Sequence, residues 1–241
     1  MRRRYLCGAL AGVLAIAAAL SATGGGAATN ARNARDHRIS DSTSTNWSGY
    51  AVTGSRYTTV SASWTQPTAT CSGTAYSSFW VGLDGDTSGT VEQTGTDADC
   101  SGSTPQYYAW YEMYPKFPTN LRNPVAPGDK MSATVSTDGR GNFTLLISDA
   151  TQGWSNTQKA KLRSAKLASA EVIAEAPSSS GGVLPLANFG TVGFSGATAN
   201  GATLTSSTPG IDPITMQSGT TVKAQPSTIS NGSFSVAWKH S

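Results

Sequence analysis

Charge and histidine are what this 241-residue chain has least of. Charged residues make up 13% of it, and its two histidines are His37, in a polar stretch near the start, and His240, next to the last residue. Neither is placed to be held rigidly, so a Ser-His or Cys-His nucleophile is not expected. There is no HExxH pattern and no cluster of histidine and cysteine, which removes most zinc chemistry. No glycine-rich loop leads into a helix to cradle a phosphate. No metal and no cofactor is expected. Any hydrolytic machinery must come from carboxylates, amides or hydroxyls.

Long apolar runs are also absent after the first 28 residues. Arg2, Arg3 and Arg4 precede an apolar stretch from Leu6 to Leu20, and Gly26-Ala27-Ala28 offers a cleavage site. Residues 1–28 therefore read as an export signal, through the general or the twin-arginine route. The stretch is short for a membrane span. Removing its three arginines from the 17 basic residues leaves 14, against 14 acidic ones. The apparent basicity belongs to the signal, and neither nucleic acid nor a membrane is expected as a partner of the mature chain. Of three cysteines, Cys7 leaves with the signal. Cys71 and Cys100 remain, and an exported pair is expected to be bridged. The expected location is extracellular and the expected state a monomer.

What is abundant is Gly, Ser and Thr in short runs of β-prone residues. Residues 29–44 are polar and read as a disordered leader or short pro-segment, and residues 45–241 as one domain. Strands are expected over Asn46–Val52, Tyr57–Trp64, Gln106–Tyr114, Met131–Ser136, Asn142–Ser148 and Ser169–Ala176, with further short ones to Trp238. Lys159–Lys166 could be a strand or a short helix. The chain is organised around Ser77–Gly95, an apolar run and a second β-run joined through Asp84-Gly85-Asp86-Thr87-Ser88-Gly89. Short strands with glycine turns predict an all-β fold, an antiparallel sandwich of two packed sheets.

The four glutamates, Glu92, Glu112, Glu171 and Glu175, all fall inside predicted strands. On pattern alone a strand glutamate belongs to the solvated face of a half-buried sheet. Alternation groups Val91, Gln93 and Gly95; Tyr108, Trp110, Glu112 and Tyr114; and Glu171, Ile173 and Glu175. Asp86-Thr87-Ser88-Gly89 is superficially like an aspartic-protease triplet, but a second copy is missing. As a calcium loop, Asp84–Gly95 ends on glycine where the bidentate glutamate belongs.

Four stretches, in order, resemble the glutamic peptidase (eqolisin) family. They are Asn46-Trp47-Ser48-Gly49; Phe79–Asp86 leading to Gln93-Thr94-Gly95; Tyr107–Pro115; and Ala170–Glu175. The run from Val183 to Phe189 is similar to the family's segment just beyond the last motif. The resemblance covers most of residues 46–195. It implies a β-sandwich and a catalytic dyad of Gln93 and Glu175. Trp47, Trp80, Asp84, Asp97, Trp110 and Glu112 match positions that line the substrate cleft or support the dyad. Tyr108 replaces an acidic residue.

The chemistry of such a pair is coherent. An ionised Glu175 would take a proton from water, Gln93 would donate to the developing oxyanion, and Glu175 would return the proton to the leaving nitrogen. A glutamate near its reference pKa of about 4.3 works as base and acid in mild acid, where an amide keeps its donor. The expectation is a secreted acid endopeptidase acting on polypeptides. The alternative is a secreted carbohydrate-binding module with Trp47, Trp64, Trp80 and Trp110 as a stacking platform; Trp64 and Trp238 are expected in the core in either case.

Overall fold

The computed structural model describes residues 43–241. The expected export signal and nearly all of the expected leader lie outside the described residues. Among these the regular structure is all strand. In chain order the strands are β1 Thr43–Ser44, β2 Trp47–Thr53, β3 Thr59–Thr65, β4 Ser78–Leu83, β5 Val91–Ser101, β6 Thr104–Tyr114, β7 Thr119–Asn120, β8 Lys130–Thr137 and β9 Asn142–Asp149. They continue as β10 Trp154–Lys161, β11 Ser169–Glu175, β12 Ser178–Ser179, β13 Gly182–Val183, β14 Thr191–Ala199, β15 Ala202–Thr203, β16 Ile211–Ser218, β17 Thr221–Pro226 and β18 Phe234–Trp238.

Two antiparallel layers share one corner strand. The first runs β10-β9-β8-β3-β14-β18-β17-β16, and the second β16-β2-β11-β4-β5-β6-β7. β16 belongs to both, because Ile211–Ile214 pair with β2 and Met216–Ser218 with β17. A strand that changes sheets in this way closes one side of a sandwich. β12 and β13 form a small separate pair.

Burial follows the alternation where one face is covered. Val60, Ala62 and Trp64 of β3 are buried and the intervening Ser61 and Ser63 are half-buried. Phe143, Leu145 and Ile147 of β9 meet Phe79, Val81 and Leu83 of β4 and Val172 and Ala174 of β11 in the core between the layers. Trp64 joins that core, whereas Trp238 is half-buried against it. The Lys159–Lys166 ambiguity resolves to strand, within β10 as far as Lys161.

The second layer departs from the expected pattern. β4 and β11 are buried along their whole length, and β5 through Cys100. Their outer face carries a second apolar cluster of Trp47, Ala51, Trp80, Val91, Trp110, Ile173 and Ile214. The expectation that strand glutamates sit on a solvated face is therefore wrong for all four: Glu92, Glu112, Glu171 and Glu175 are each at most 3% exposed. Large side chains from the same sheet cover the outer face that carries Glu112, Glu171 and Glu175, whereas Glu92 faces the core between the layers.

Two local features frame this layer. Cys71 and Cys100 are bridged, across a separation of 29 residues. β1 pairs in parallel with β16, Ser44 opposite Met216, and Ser44 is fully buried. Ordered pairing thus starts inside the segment read as leader.

Candidate active site

Strand register assembles the site in three rows on the outer face of the second layer. Trp47, Glu175, Ser78, Asp97 and Tyr108 stand opposite one another across β2, β11, β4, β5 and β6. The next row is Gly49, Ile173, Trp80, Gly95 and Trp110. The third is Ala51, Glu171, Gly82, Gln93 and Glu112. Registered residues point to the same side, and so do residues two apart on a strand. Gln93 and Glu175 therefore share a face, together with Trp47, Trp80, Asp97, Trp110 and Glu112.

Trp80 links the two key side chains. Its indole Nε1 donates to Glu175 Oε2 at 2.7 Å. The rest of the ring lies over two glycines. A Cβ on Gly95 would stand 2.6 Å from Trp80 Cβ, and one on Gly82 would stand 2.9 Å from Trp80 Cζ3 and 3.2 Å from Gln93 Cβ. The indole thus reaches from beside the root of Gln93 to the Glu175 carboxylate. Any side chain at Gly95 would push it out of that position.

Glu175 also accepts from Asn46 Nδ2, on Oε1, at 3.1 Å. Gln93 Nε2 donates to Glu112 Oε2 at 2.6 Å. A carboxamide nitrogen carries two hydrogens, so one more remains for another acceptor. Gln93 Oε1 is buried and receives no hydrogen bond from the described residues. The amide is therefore oriented from its nitrogen end.

The other residues singled out in the sequence have definite places. Asp97 accepts from Trp110 Nε1 at 2.5 Å. Trp47 packs edge-on against Trp80, with ring centroids 4.9 Å apart. Asp84 lies apart from the rows: its carboxylate takes backbone N–H bonds from Lys166, Leu167 and Ala168, each at 2.8 Å, and so fixes the approach to β11. Tyr108 donates its hydroxyl to Asp99 Oδ2 at 2.6 Å. Trp47, Trp80 and Trp110 are buried, and Trp47 and Trp80 meet edge-on rather than lying flat as a sugar platform would. Trp64 lies in the core on the opposite side of the sheet.

Two glutamates have unusual environments. Burial, with the Asp84 charge beside it, pushes Glu92 up to about 9. Burial pushes Glu171 well above the usual carboxylate range, reinforced by Asp86, Asp84 and Glu92. Glu92 stands opposite Leu83 and Met113 and faces the sandwich core, whereas Glu171 shares the row of Gln93. Asn46 has no role in the sequence reading beyond its place in a motif. The usable signal is its position beside Trp47, the residue registered with Glu175.

One face thus carries an oriented amide and a carboxylate, linked by the Trp80 indole and with no histidine beside them among the described residues. Residues 45–238 match the family described as the Peptidase A4 family, and the chain belongs to it. It is similar to scytalidopepsin B of Scytalidium lignicola, 39% identical over 104 residues, which are 42% of this chain and 39% of that protein. The chain thus spans well under half the length of that relative in the match. It is 28% identical over 188 residues to aspergillopepsin-2 of Aspergillus niger, covering 67% of each. Among solved structures it resembles scytalido-glutamic peptidase with a transition state analog inhibitor, at a TM-score of 0.71 and 25% identity, covering 81% of this chain and 98% of that one. Aspergilloglutamic peptidase from Aspergillus niger gives a TM-score of 0.61 and 27% identity, covering 68% and 99%.

Proposed function

We propose that the chain is an acid endopeptidase that hydrolyses polypeptides through Gln93 and Glu175. The observation that carries this reading is their common face, with one indole reaching from the foot of the amide to the carboxylate. Ionised Glu175 removes a proton from a water, and the resulting hydroxide attacks the scissile carbonyl. The free hydrogen on Gln93 Nε2 donates to the oxyanion, an interaction of about 3–4 kcal/mol at sites of this kind. Glu112, by accepting the other hydrogen, keeps the NH₂ end of the amide in place. Protonated Glu175 then delivers its proton to the departing amine. Asp97 fixes Trp110, and Trp47 braces Trp80, so that both indoles flank the dyad.

Both dyad members come from one chain, so a monomer suffices. Among the described residues no helix is long and apolar enough to cross a membrane. Export is supported by the signal-like residues 1–28 and by the Cys71–Cys100 bridge, which persists in oxidising compartments. The test is Glu175→Gln, assayed on denatured protein from pH 2 to 8. Cleavage is expected to vanish while the melting temperature stays near that of the unmodified protein. Retained cleavage overturns the assignment.

A further inference from the structure

We propose that Ser44 and Asn46 form a positioning relay for the Glu175 carboxylate, anchored by strand β1. The proposal rests on the reading of Glu175 as the base. Asn46 Nδ2 donates to Glu175 Oε1 at 3.1 Å, and Ser44 Oγ donates to Asn46 Oδ1 at 3.2 Å. Ser44 Oγ in turn accepts the backbone N–H of Asn46 at 3.2 Å and of Trp47 at 3.0 Å. One hydroxyl therefore fixes both the backbone at the start of β2 and the orientation of the Asn46 amide. Ser44 and Asn46 are fully buried, where a polar group left without its partner is costly.

The backbone locks the same unit. Ala176, the residue after Glu175, donates its N–H to the Asn46 carbonyl at 2.8 Å. Ser44 is held in turn by the parallel pairing of β1 with β16. An amide that could turn over would present its oxygen to Glu175 and repel an ionised carboxylate. The Ser44 hydroxyl, by donating to Asn46 Oδ1, forbids that turn. With the Trp80 indole on Oε2 and Asn46 on Oε1, both carboxylate oxygens face neutral N–H donors. These favour the ionised form that the reaction requires. A strand of two residues, docked from the beginning of the domain, thereby sets the direction of the reacting group.

Asn46→Ala and Ser44→Ala test the relay, with Ser44→Thr as the conservative variant and Glu175→Gln as the reference. Loss of one donor to an ionised carboxylate should move the acid limb of kcat/KM to higher pH by about one unit in Asn46→Ala, with a smaller shift in Ser44→Ala. kcat should fall about tenfold in Asn46→Ala with KM nearly unchanged, because the lost hydrogen bond is to the reacting carboxylate and Asn46 is fully buried. Ser44→Thr should restore the profile. If Asn46→Ala fails to fold, Ser44→Ala against Ser44→Thr decides alone. An acid limb unmoved in the folded variants, while Glu175→Gln is inactive, overturns the relay and leaves the dyad standing. An active Glu175→Gln overturns both.

Discussion

Replacing Glu92 by glutamine should make the domain more stable at neutral pH and leave it nearly unchanged in acid. Glu92 is fully buried and points into the sandwich core opposite Leu83 and Met113. Desolvation, then the Asp84 charge, raises its pKa from an ordinary 4.5 to about 9. The folded state therefore holds a proton that the unfolded chain releases. The stabilisation this carries is complete below pH 4.5 and is lost as pH climbs toward 9. Each pH unit in that window costs about 1.4 kcal/mol, so the loss between pH 4 and pH 7 is about 3.5 kcal/mol. Against a total stability of about 5–15 kcal/mol for a domain, that is a large share. Glu171, also fully buried and raised for the same reason, acts in the same direction.

Glutamine keeps the shape of a protonated glutamate and cannot ionise. Melting curves of the two proteins, taken every half unit from pH 3.5 to 8, should start together. By pH 7 they should be separated by about 10 °C, because 1 kcal/mol moves a domain of this size by about 2–4 °C. Parallel curves across the whole range would refute the reasoning. So would a parent protein whose stability rises from pH 4.5 to 7.

Trp80→Phe keeps the ring over Gly82 and Gly95 but removes the N–H held by Glu175, and should cost roughly tenfold or more in kcat at unchanged fold, read by steady-state kinetics and circular dichroism. Gly95→Ala drives a Cβ into the Phe79 carbonyl oxygen and to 2.6 Å from Trp80 Cβ, so it should lower the melting temperature and the activity together. Serine at both Cys71 and Cys100 removes a bridge across 29 residues, and denaturant titration should show a loss of about 3–4 kcal/mol.

Much of the site is legible in the sequence because a strand has a period of two. Alternation alone puts Gln93 with Gly95, Glu112 with Trp110, and Glu171 with Glu175, and the register keeps each group on one face. Alternation cannot say what lies above that face. It assigns Glu112, Glu171 and Glu175 to water, whereas Trp47, Trp80, Trp110 and Ile173 rise from the same sheet and cover that face. Nor does local pattern carry pairings between distant segments. Ser44 reads as leader because no periodic apolar residues precede it, yet it pairs with Met216, far along the chain. Lys159–Lys166 is ambiguous in sequence because an edge strand exposes every second residue and its lysines fit either period; β9 pairing along β10 decides it.

The proposed chemistry and the stability of this domain point to acid through different residues, and they can be separated. Glu175 lies on the outer face under Trp80, whereas Glu92 lies on the inner face against Leu83 and Met113. An amide such as Gln93 does not titrate between pH 2 and 8, so activity should fall at high pH only where proton delivery from Glu175 becomes limiting or where the fold fails. Glu92→Gln removes part of the second cause and leaves the first untouched. Its initial-rate profile, measured within seconds of a pH jump, should therefore superimpose on that of the parent protein. Its activity after an hour at pH 7 should be higher. If instead the initial-rate optimum moves upward with the melting temperature, neutral inactivation is unfolding alone, and the acid optimum owes nothing to the protonation of Glu175.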